Sequence, residues 1–586
     1  MYRSTRHTSP IGVVLTSAAL VVAAGVFHAP ADAAAPRPAT GTVDRAPAST
    51  VFDWTTVVNN DDLVPPLGAR YFNSYNQPSV NLGGVVVVRA RSRGGTLGEP
   101  THGIYLRDMS AQGPIVSILD RTTAVPSPND LGTTFGETPS FPRIDMSSDT
   151  IATRANHQPV WQYPLGDGTE TRAGTTGIYT DPFGSLITGA SKLGAIPEFV
   201  YFGVPGLPGV PFDVFPGSPA VARGDTIVFK GNFTLDGVGR TGVYFRELTD
   251  GPTGGTSPVV KIADTTSTLI PGTGALFGST APPSAAGDRV VFAGFDDEDA
   301  PTLGGIYLAP LQSEPPLTTL VRIGDRAPGG APSDSFSRFG EGVAFDGRFV
   351  AFWGAWGDET TTVRLSCPTE GNQDRIDYCN QKLVCADTGE TLGAPGVTCD
   401  ETGCHRDVQV PVHQGIFVHD IETRTTRRVA DTNETFDDFL FWNFSGAVPC
   451  TGLGHSDEGA GDDGEPARWR SSAFVAVAGS GGATYRTAFE ARTGAPADGL
   501  GTAPVDGIYL QRGPGQGLTA ETVLDTTMDG QRVDPEAPAG STITELGLER
   551  EGLRGNWLAV TAKMAIDGGA DDDGMAGVYV TRLDSR

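Results

Sequence analysis

GVYVTRLDSR, Gly577–Arg586, ends the chain and opens with the last of seven copies of one short string. The others are GIYL at Gly103, GIYT at Gly177, GVYF at Gly242, GIYL at Gly305, GIFV at Gly415 and GIYL at Gly507. Each sets a turn-forming Gly before β-branched and aromatic residues, the composition of a buried strand. Upstream of each copy runs a second strand-like string. These are GGVVVVRA from Gly83, SDTIATRA from Ser148, GDTIVFKG from Gly224, GDRVVFAG from Gly287, GRFVAFWG from Gly347, SAFVAVAG from Ser472 and GNWLAVTA from Gly555. Downstream runs a third, closing on Asp120, Asp264, Asp325, Asp431 or Asp525, with the second unit departing as LITGA around Gly189. A Pro/Phe-rich stretch such as Phe72–Val80 or Phe277–Ala285 then ends in a fourth strand, which begins the next unit.

Four short strands per unit with no helical periodicity between them describe a propeller blade. The seventh copy stops before any downstream strand, yet the N-terminal part holds an orphan of that type, DWTTVVNN at Asp53–Asn60. Pairing the orphan with the last copy would remove an open sheet edge. The expected fold is therefore all-β, a seven-bladed β-propeller over 51–586 closed by its N-terminal strand. A linear array or two smaller β-domains is the competing arrangement, because most units exceed the ~40–50 residues of a propeller repeat.

These strings resemble TolB-like propeller repeats, and are similar to secreted bacterial tandem repeats with an Asn-x-x-Gly-x-x-Ala-Phe signature. PSVNLGG (Pro78–Gly84) and FDGRFVAF (Phe345–Phe352) come closest, although most copies lack the Asn and carry an extra residue before the Phe position. The resemblance implies a propeller over nearly all of 53–586 and carries over no catalytic residue. It also implies a strand order in each unit, with the Pro-Ser stretch innermost and the Asp-ended strand outermost. In that order the first and second strands meet in tight turns on one face. The long second-to-third connections emerge on the other: Ala90–His102, Ala155–Thr176, Gly231–Thr241 and Phe295–Gly304 in the first four units. Binding is expected on that elaborated face.

Residues 1–33 read as a secretory signal: Arg3 and Arg6, an apolar run over Ile11–Phe27, and Ala31-Asp32-Ala33 as a small-x-small cleavage site. Residues 34–50, rich in Ala, Pro and Thr, read as a flexible lead-in. The product is expected to be secreted or periplasmic, with no transmembrane segment after cleavage. Acidic residues outnumber basic ones 69 to 42, a net charge of −27, which argues against nucleic acid or an anionic membrane as partner.

All six cysteines (Cys367, Cys379, Cys385, Cys399, Cys404, Cys450) fall in or just after the fifth unit's long connection. In an exported chain an even, clustered set without CxxC spacing reads as disulfides of open pairing. A Cys-rich insertion, 357–414, is expected to cap part of the elaborated face. Disulfides would stand in for the core that its few large apolar residues cannot build.

No nucleophile elbow, HExxH, P-loop or EF-hand occurs. The candidate ligand-binding residues are Asn156, His157, Trp161, Asn232, Trp353 and Trp356, since Trp with amide neighbours suits sugars; the two Trp of unit five suit inter-blade packing equally. Asp296, Asp297, Asp299, Asp571 and Asp573 are candidate Ca²⁺ ligands, because hard cations gather carboxylate oxygens. The recurrent Asp after the third downstream strand is expected to tie down its turn. The resulting expectation is a binding or scaffold module for an extracellular glycan or protein. A polysaccharide lyase or glycoside hydrolase using the same face is the alternative.

Overall fold

The computed structural model describes residues 52–583 apart from 66–69, 94–100, 130–131, 137, 157–161, 165–169, 173–175, 252, 370–372, 386–387, 402, 433–434, 447, 451–466, 495–503, 515–518 and 567–573, and apart from the side chains of 162–164 and 170–172. The signal and lead-in, 1–50, lie outside the described residues.

Among the described residues seven antiparallel sheets, each built on four principal strands, succeed one another along the chain beside four smaller sheets of two or three strands. In the first, Val85–Ser92 pairs with His102–Asp108, which pairs with Val116–Asp120. Its inner strand is broken into Phe72–Tyr75 and Ser79–Val80. The break follows from sequence, because Pro78 cannot donate to the ladder. Pro142, Pro219 and Pro283 likewise precede the inner strands Arg143–Ile144, Ala220–Ala222 and Ser284–Ala286.

The seventh sheet joins the chain's two extremities. Trp54–Asn59 lies antiparallel to Met575–Arg582, with Trp54 opposite Thr581, Val58 opposite Val578 and Asn59 opposite Gly577. Without Trp54–Asn59 the Met575–Arg582 strand would present an unpaired apolar edge.

Seven buried apolar clusters fill the gaps between successive sheets. Val87, Ile104 and Ile151 join the first to the second, and Val477, Phe349 and Phe489 join the fifth to the sixth. Val58, Val86 and Val578 join the seventh back to the first. The architecture is all-β and propeller-like, with sheets packed in cyclic order.

The Gly-x-Tyr string now has a physical account. Glycine and the aromatic residue two positions on share a strand face, so the ring folds back over the glycine. A Cβ on Gly103, Gly242 or Gly577 would meet the hydroxyl of Tyr105, Tyr244 or Tyr579, and one on Gly305 or Gly415 would meet the carbonyl of Val321 or Ala430. A bulge between the string's second and third residues recurs in every sheet, as at Ile104/Tyr105 and Ile508/Tyr509. Five of the tyrosine rings receive a phenylalanine edge-on from the Pro/Phe-rich stretch ahead of them. Phe72–Tyr105 (4.8 Å), Phe135–Tyr179 (4.7 Å), Phe212–Tyr244 (4.9 Å), Phe277–Tyr307 (5.3 Å) and Phe436–Tyr509 (4.7 Å) are such pairs. Each contributes about 0.5–1.5 kcal/mol beyond burial. In the seventh sheet the Tyr579 hydroxyl donates instead to Asp534 at 3.0 Å.

One strand assignment is corrected. In the sixth sheet Val475–Gly481 is the inner strand, and the true second strand is Thr484–Thr493, paired with both Val475–Gly481 and Val505–Gly513. The sequence reading took the more apolar run as second. Thr484–Thr493 holds buried Arg486 and Glu490, which break its hydrophobic signature.

Candidate functional site

Long connections emerge on the face where second strands end and third strands begin, and the described ligand candidates lie there on sheets two (Asn156), three (Asn232) and five (Trp353 and Trp356). Asn156 ends the second strand of sheet two and is buried; its backbone carbonyl accepts from Gly136 at 2.8 Å. Asn232 sits opposite Thr241 in sheet three. Neither side-chain Oδ1 has a partner among the described residues. His157 and Trp161 lie outside the described residues. Trp353 is buried, and its indole donates to Gln414 at 2.9 Å, whose amide donates in turn to Asp438 at 2.9 Å. Trp356 is buried, stacked on His413 at 6.0 Å and edge-on to Phe417. Both indoles therefore pack within and between sheets rather than offering a ring to a ligand.

Of the acidic candidates, Asp571 and Asp573 lie outside the described residues. Asp296 accepts from the backbone of Thr302 and Leu303 and from the Thr302 hydroxyl, so these bonds hold its carboxyl below the usual range against the opposing effect of burial. Asp297 accepts from the backbone of Asp299 and Ala300. Asp299 and Glu298 both pair with Arg468, at 2.9 and 2.5 Å. The loop thus spends these carboxylates on its own backbone and on an arginine from a hairpin before sheet six. Among the described residues no group of three His, Cys, Asp or Glu could hold a metal ion.

The turn-tying aspartates behave as their spacing suggests. Asp120 accepts from the Thr122 backbone at 2.7 Å, Asp264 from Thr266 and Ser267, and Asp525 from Thr527.

The cysteines form three disulfides: Cys367–Cys379, Cys385–Cys450 and Cys399–Cys404. The lobe is larger than 357–414. Leu365, Tyr378, Leu383 and Val397 share one apolar cluster with Phe444, Val448 and Trp469. The latter belong to or follow the hairpin of Phe441–Ser445 with Arg468–Ser472, and Cys385–Cys450 staples the lobe to it. The missing core is thus borrowed from chain beyond residue 414, and Val363, Val408 and Trp442 tie the cap to the cluster between sheets five and six.

A feature absent from the sequence reading lies at the centre, where inner strands converge. Arg143, fully buried in sheet two, pairs with Glu549 at 2.6 Å and Glu551 at 3.3 Å in sheet seven. Arg554 pairs with Glu551 at 3.5 Å, and Arg550 with Glu549 at 3.3 Å. Arg550 also donates to the Pro282 carbonyl of sheet four at 3.1 Å. Burial alone would raise the Glu549 carboxyl, but Arg143 and Arg550 outweigh it and hold that group below its ordinary value. Burial, then the neighbouring Arg143 charge, brings Arg550 down to about 10. The signal was the string GLEREGLR, Gly547–Arg554, charged where other units place Pro, Ser or Ala before the inner strand.

A further missed feature is a small cleft of about 110 Å³ on the opposite face, between sheets five and six. Phe349, Val418, Tyr485 and Pro514 form its apolar part, and Asp420 and Arg427 contribute charge. Arg348 clamps Asp420 at 2.8 and 3.0 Å, which brings that carboxyl down to about 2.

No family model matches the chain, and none of the curated proteins matches it. Among solved structures it is similar to an acylaminoacyl peptidase of Pyrococcus horikoshii, at 9% identity and a TM-score of 0.26, over 76% of this chain and 59% of that one. The chain therefore spans less than two thirds of that enzyme's length. It is also similar to fructan 1-exohydrolase IIa of Cichorium intybus, at 9% identity and a TM-score of 0.20 over 91% and 95% of the two chains. A third is the GH43 BlXynB protein of Bacillus licheniformis, at 10% and 0.20 over 87% and 98%. At such scores no chemistry passes from these proteins to this one.

Proposed function

We propose that the chain is an exported seven-bladed β-propeller serving as a binding or scaffold module, and that it meets an extracellular glycan or protein on the face bearing the long connections. The observation that carries this reading is the cap. Three disulfides and an apolar cluster shared with the hairpin of Phe441–Ser445 and Arg468–Ser472 are built onto one face of an otherwise repetitive set of sheets, and that face also holds the longer loops. Disulfides fit an oxidising compartment. No helix among the described residues is long and apolar enough to cross a membrane. Asn156 and Asn232, with His157 and Trp161, are the contact candidates, and Ca²⁺ at the acidic loops, including Asp571 and Asp573, belongs to the same proposal.

Glycan arrays and pull-downs from culture medium with the purified protein test this reading. A specific ligand lost on changing Asn156 or Asn232 to Ala is the expected result. Turnover of a polysaccharide, abolished by one substitution on that face, would replace the module with a carbohydrate-active enzyme. Equilibrium dialysis against Ca²⁺ that detects no binding would remove the metal.

A further inference from the structure

The three bridges of the cap differ in where the chain places them. Cys367–Cys379 and Cys385–Cys450 join residues 12 and 65 positions apart, and Cys367, Cys379 and Cys385 are buried. Cys399–Cys404 joins residues only 5 positions apart. The two stand directly opposite each other on the strands Thr398–Asp400 and Gly403–Pro411, with Thr398 opposite His405 and Asp400 opposite Gly403 on either side. Cys399 is exposed, as are Thr398 and Asp400, and Cys404 is half-buried.

A bridge stabilises chiefly by the freedom it removes from the unfolded chain, and that freedom grows with the loop it closes. Cys399–Cys404 therefore contributes the least of the three. Its hairpin is also held by other means. The backbone pairs flanking the bridge do not depend on sulfur, and His405–Pro411 pairs along its other edge with Thr360–Ser366. The Cys367 amide donates to the Cys404 carbonyl at 2.9 Å. Ala394 and Val397, just ahead of the hairpin, are buried in the cap's apolar cluster and keep the segment docked. The Cys404 sulfur lies 3.7 Å from the Asn380 carbonyl, an acceptor in place for the thiol that reduction would create. Exchange needs one sulfur within reach of a thiolate and a second as leaving group, and Cys399 is the sulfur within reach.

We propose that Cys399–Cys404 is a thiol–disulfide exchange site at the tip of the cap, opened by an external dithiol, while the other two bridges hold the cap together. The site concerns the cap alone and stands whichever ligand the face takes. A thiolate of the dithiol attacks Cys399 Sγ. The S–S bond breaks, and its electron pair leaves on Cys404 Sγ, which takes up a proton. The partner's second thiolate then displaces Cys399 from the mixed disulfide. Two electrons and two protons pass from the dithiol, which becomes a disulfide, to the bridge, which becomes two thiols. The same steps reversed, with an external disulfide as oxidant, reclose it.

Treating the purified protein with graded dithiothreitol in the absence of denaturant, then alkylating it and mapping the label by mass spectrometry, tests this. Cys399 and Cys404 should take the label at about one-tenth or less of the dithiol that opens either other bridge. Earlier opening of Cys367–Cys379 or Cys385–Cys450, or opening of all three together, overturns the proposal. A variant with Cys399→Ser and Cys404→Ser should resist limited proteolysis as the parent does outside 398–403. Faster cutting elsewhere in the cap would make the bridge a structural staple and refute the assignment. A C-x-x-C oxidoreductase with its second cysteine changed to Ser should be trapped on Cys399. Reduction by dithiothreitol without trapping would assign the site to small dithiols, and trapping on any other cysteine would refute it.

Discussion

Replacing Arg143 with Met tests the axial ion pairs most sharply. Arg143 bridges sheets two and seven through Glu549 and Glu551, whose side chains are 7% and 3% exposed. Removing it leaves Glu549 with Arg550 alone and Glu551 with Arg554 alone among the described residues, in a site that water barely reaches. Breaking a buried pair from one side costs about 3–5 kcal/mol when the partner is stranded, and the remaining arginines put this loss at the lower end of that range. If the ring unfolds cooperatively, an unfolding entropy of ~2.1 cal/mol/K per residue gives about 1.1 kcal/mol/K for the folded chain, so Tm should fall by about 3–5 °C. Calorimetry measures this, and urea denaturation checks it independently. The triple variant Arg143→Met, Glu549→Gln, Glu551→Gln should lose more than the single one, because it leaves Arg550 and Arg554 buried without a carboxylate. The parent also has a pH signature. The Glu549 carboxyl is lowered in the folded state, so its contribution is complete above the ordinary carboxylate value near pH 4.3 and is lost as pH falls below it. A single variant within about 1 kcal/mol of the parent, or a triple variant more stable than the single, would refute the reasoning.

Three further outcomes follow from the same geometry. Glu490 is buried, accepts from the Leu548 backbone, and burial raises its carboxyl well above the ordinary value. The parent therefore loses stability as pH rises from the unfolded carboxylate value, and Glu490→Gln should remove that loss, becoming relatively more stable in urea melts at pH 7 than at pH 4. Gly305→Ala drives a Cβ into the Val321 carbonyl and should cost about 1–3 kcal/mol, whereas Gly274→Ala, which meets nothing within 4 Å, should stay within about 0.5 kcal/mol in the same melts. Changing Cys385 and Cys450 to Ser should expose the cap to limited proteolysis while the ring sheets keep their hydrogen-exchange protection; loss of both together would mean that cap and ring fold as one unit.

Much of the fold was legible because it is written in repeats. The Gly-x-Tyr strings mark seven third strands, the aspartates mark the turns they cap, and Asp53–Asn60 contains the strand that pairs with Met575–Arg582. What escaped the sequence reading has physical causes. Thr484–Thr493 buries Arg486 and Glu490, so its polarity hid a central strand and shifted the sixth sheet by one position. The axial cluster escaped because charge runs usually face solvent, whereas Glu549, Arg550 and Glu551 turn inward between two short inner-strand pieces, meeting Arg143 from far away in sequence. The cap's extent depended on Phe444 and Trp469, which lie well past the cysteine-rich segment and meet it only in three dimensions. The candidate site was less legible. Trp353 and Trp356 turned out to be packing residues, Asn156 and Asn232 lie on separate sheets, and the cleft formed on the face whose turns looked plain.

The closed ring is tested most directly by the distance between the chain's extremities. Asp53 and Arg582 are both exposed and flank the closing strand pair, so spin labels on Asp53→Cys and Arg582→Cys would leave the sheets undisturbed. Double electron–electron resonance should return one narrow, short distribution, since paired strands hold opposed Cα atoms about 4.5–5.5 Å apart. A linear stack of sheets about 10 Å apart would instead place the two ends roughly 60 Å from each other. A broad distribution centred at such lengths would contradict the closure on which the choice of faces depends.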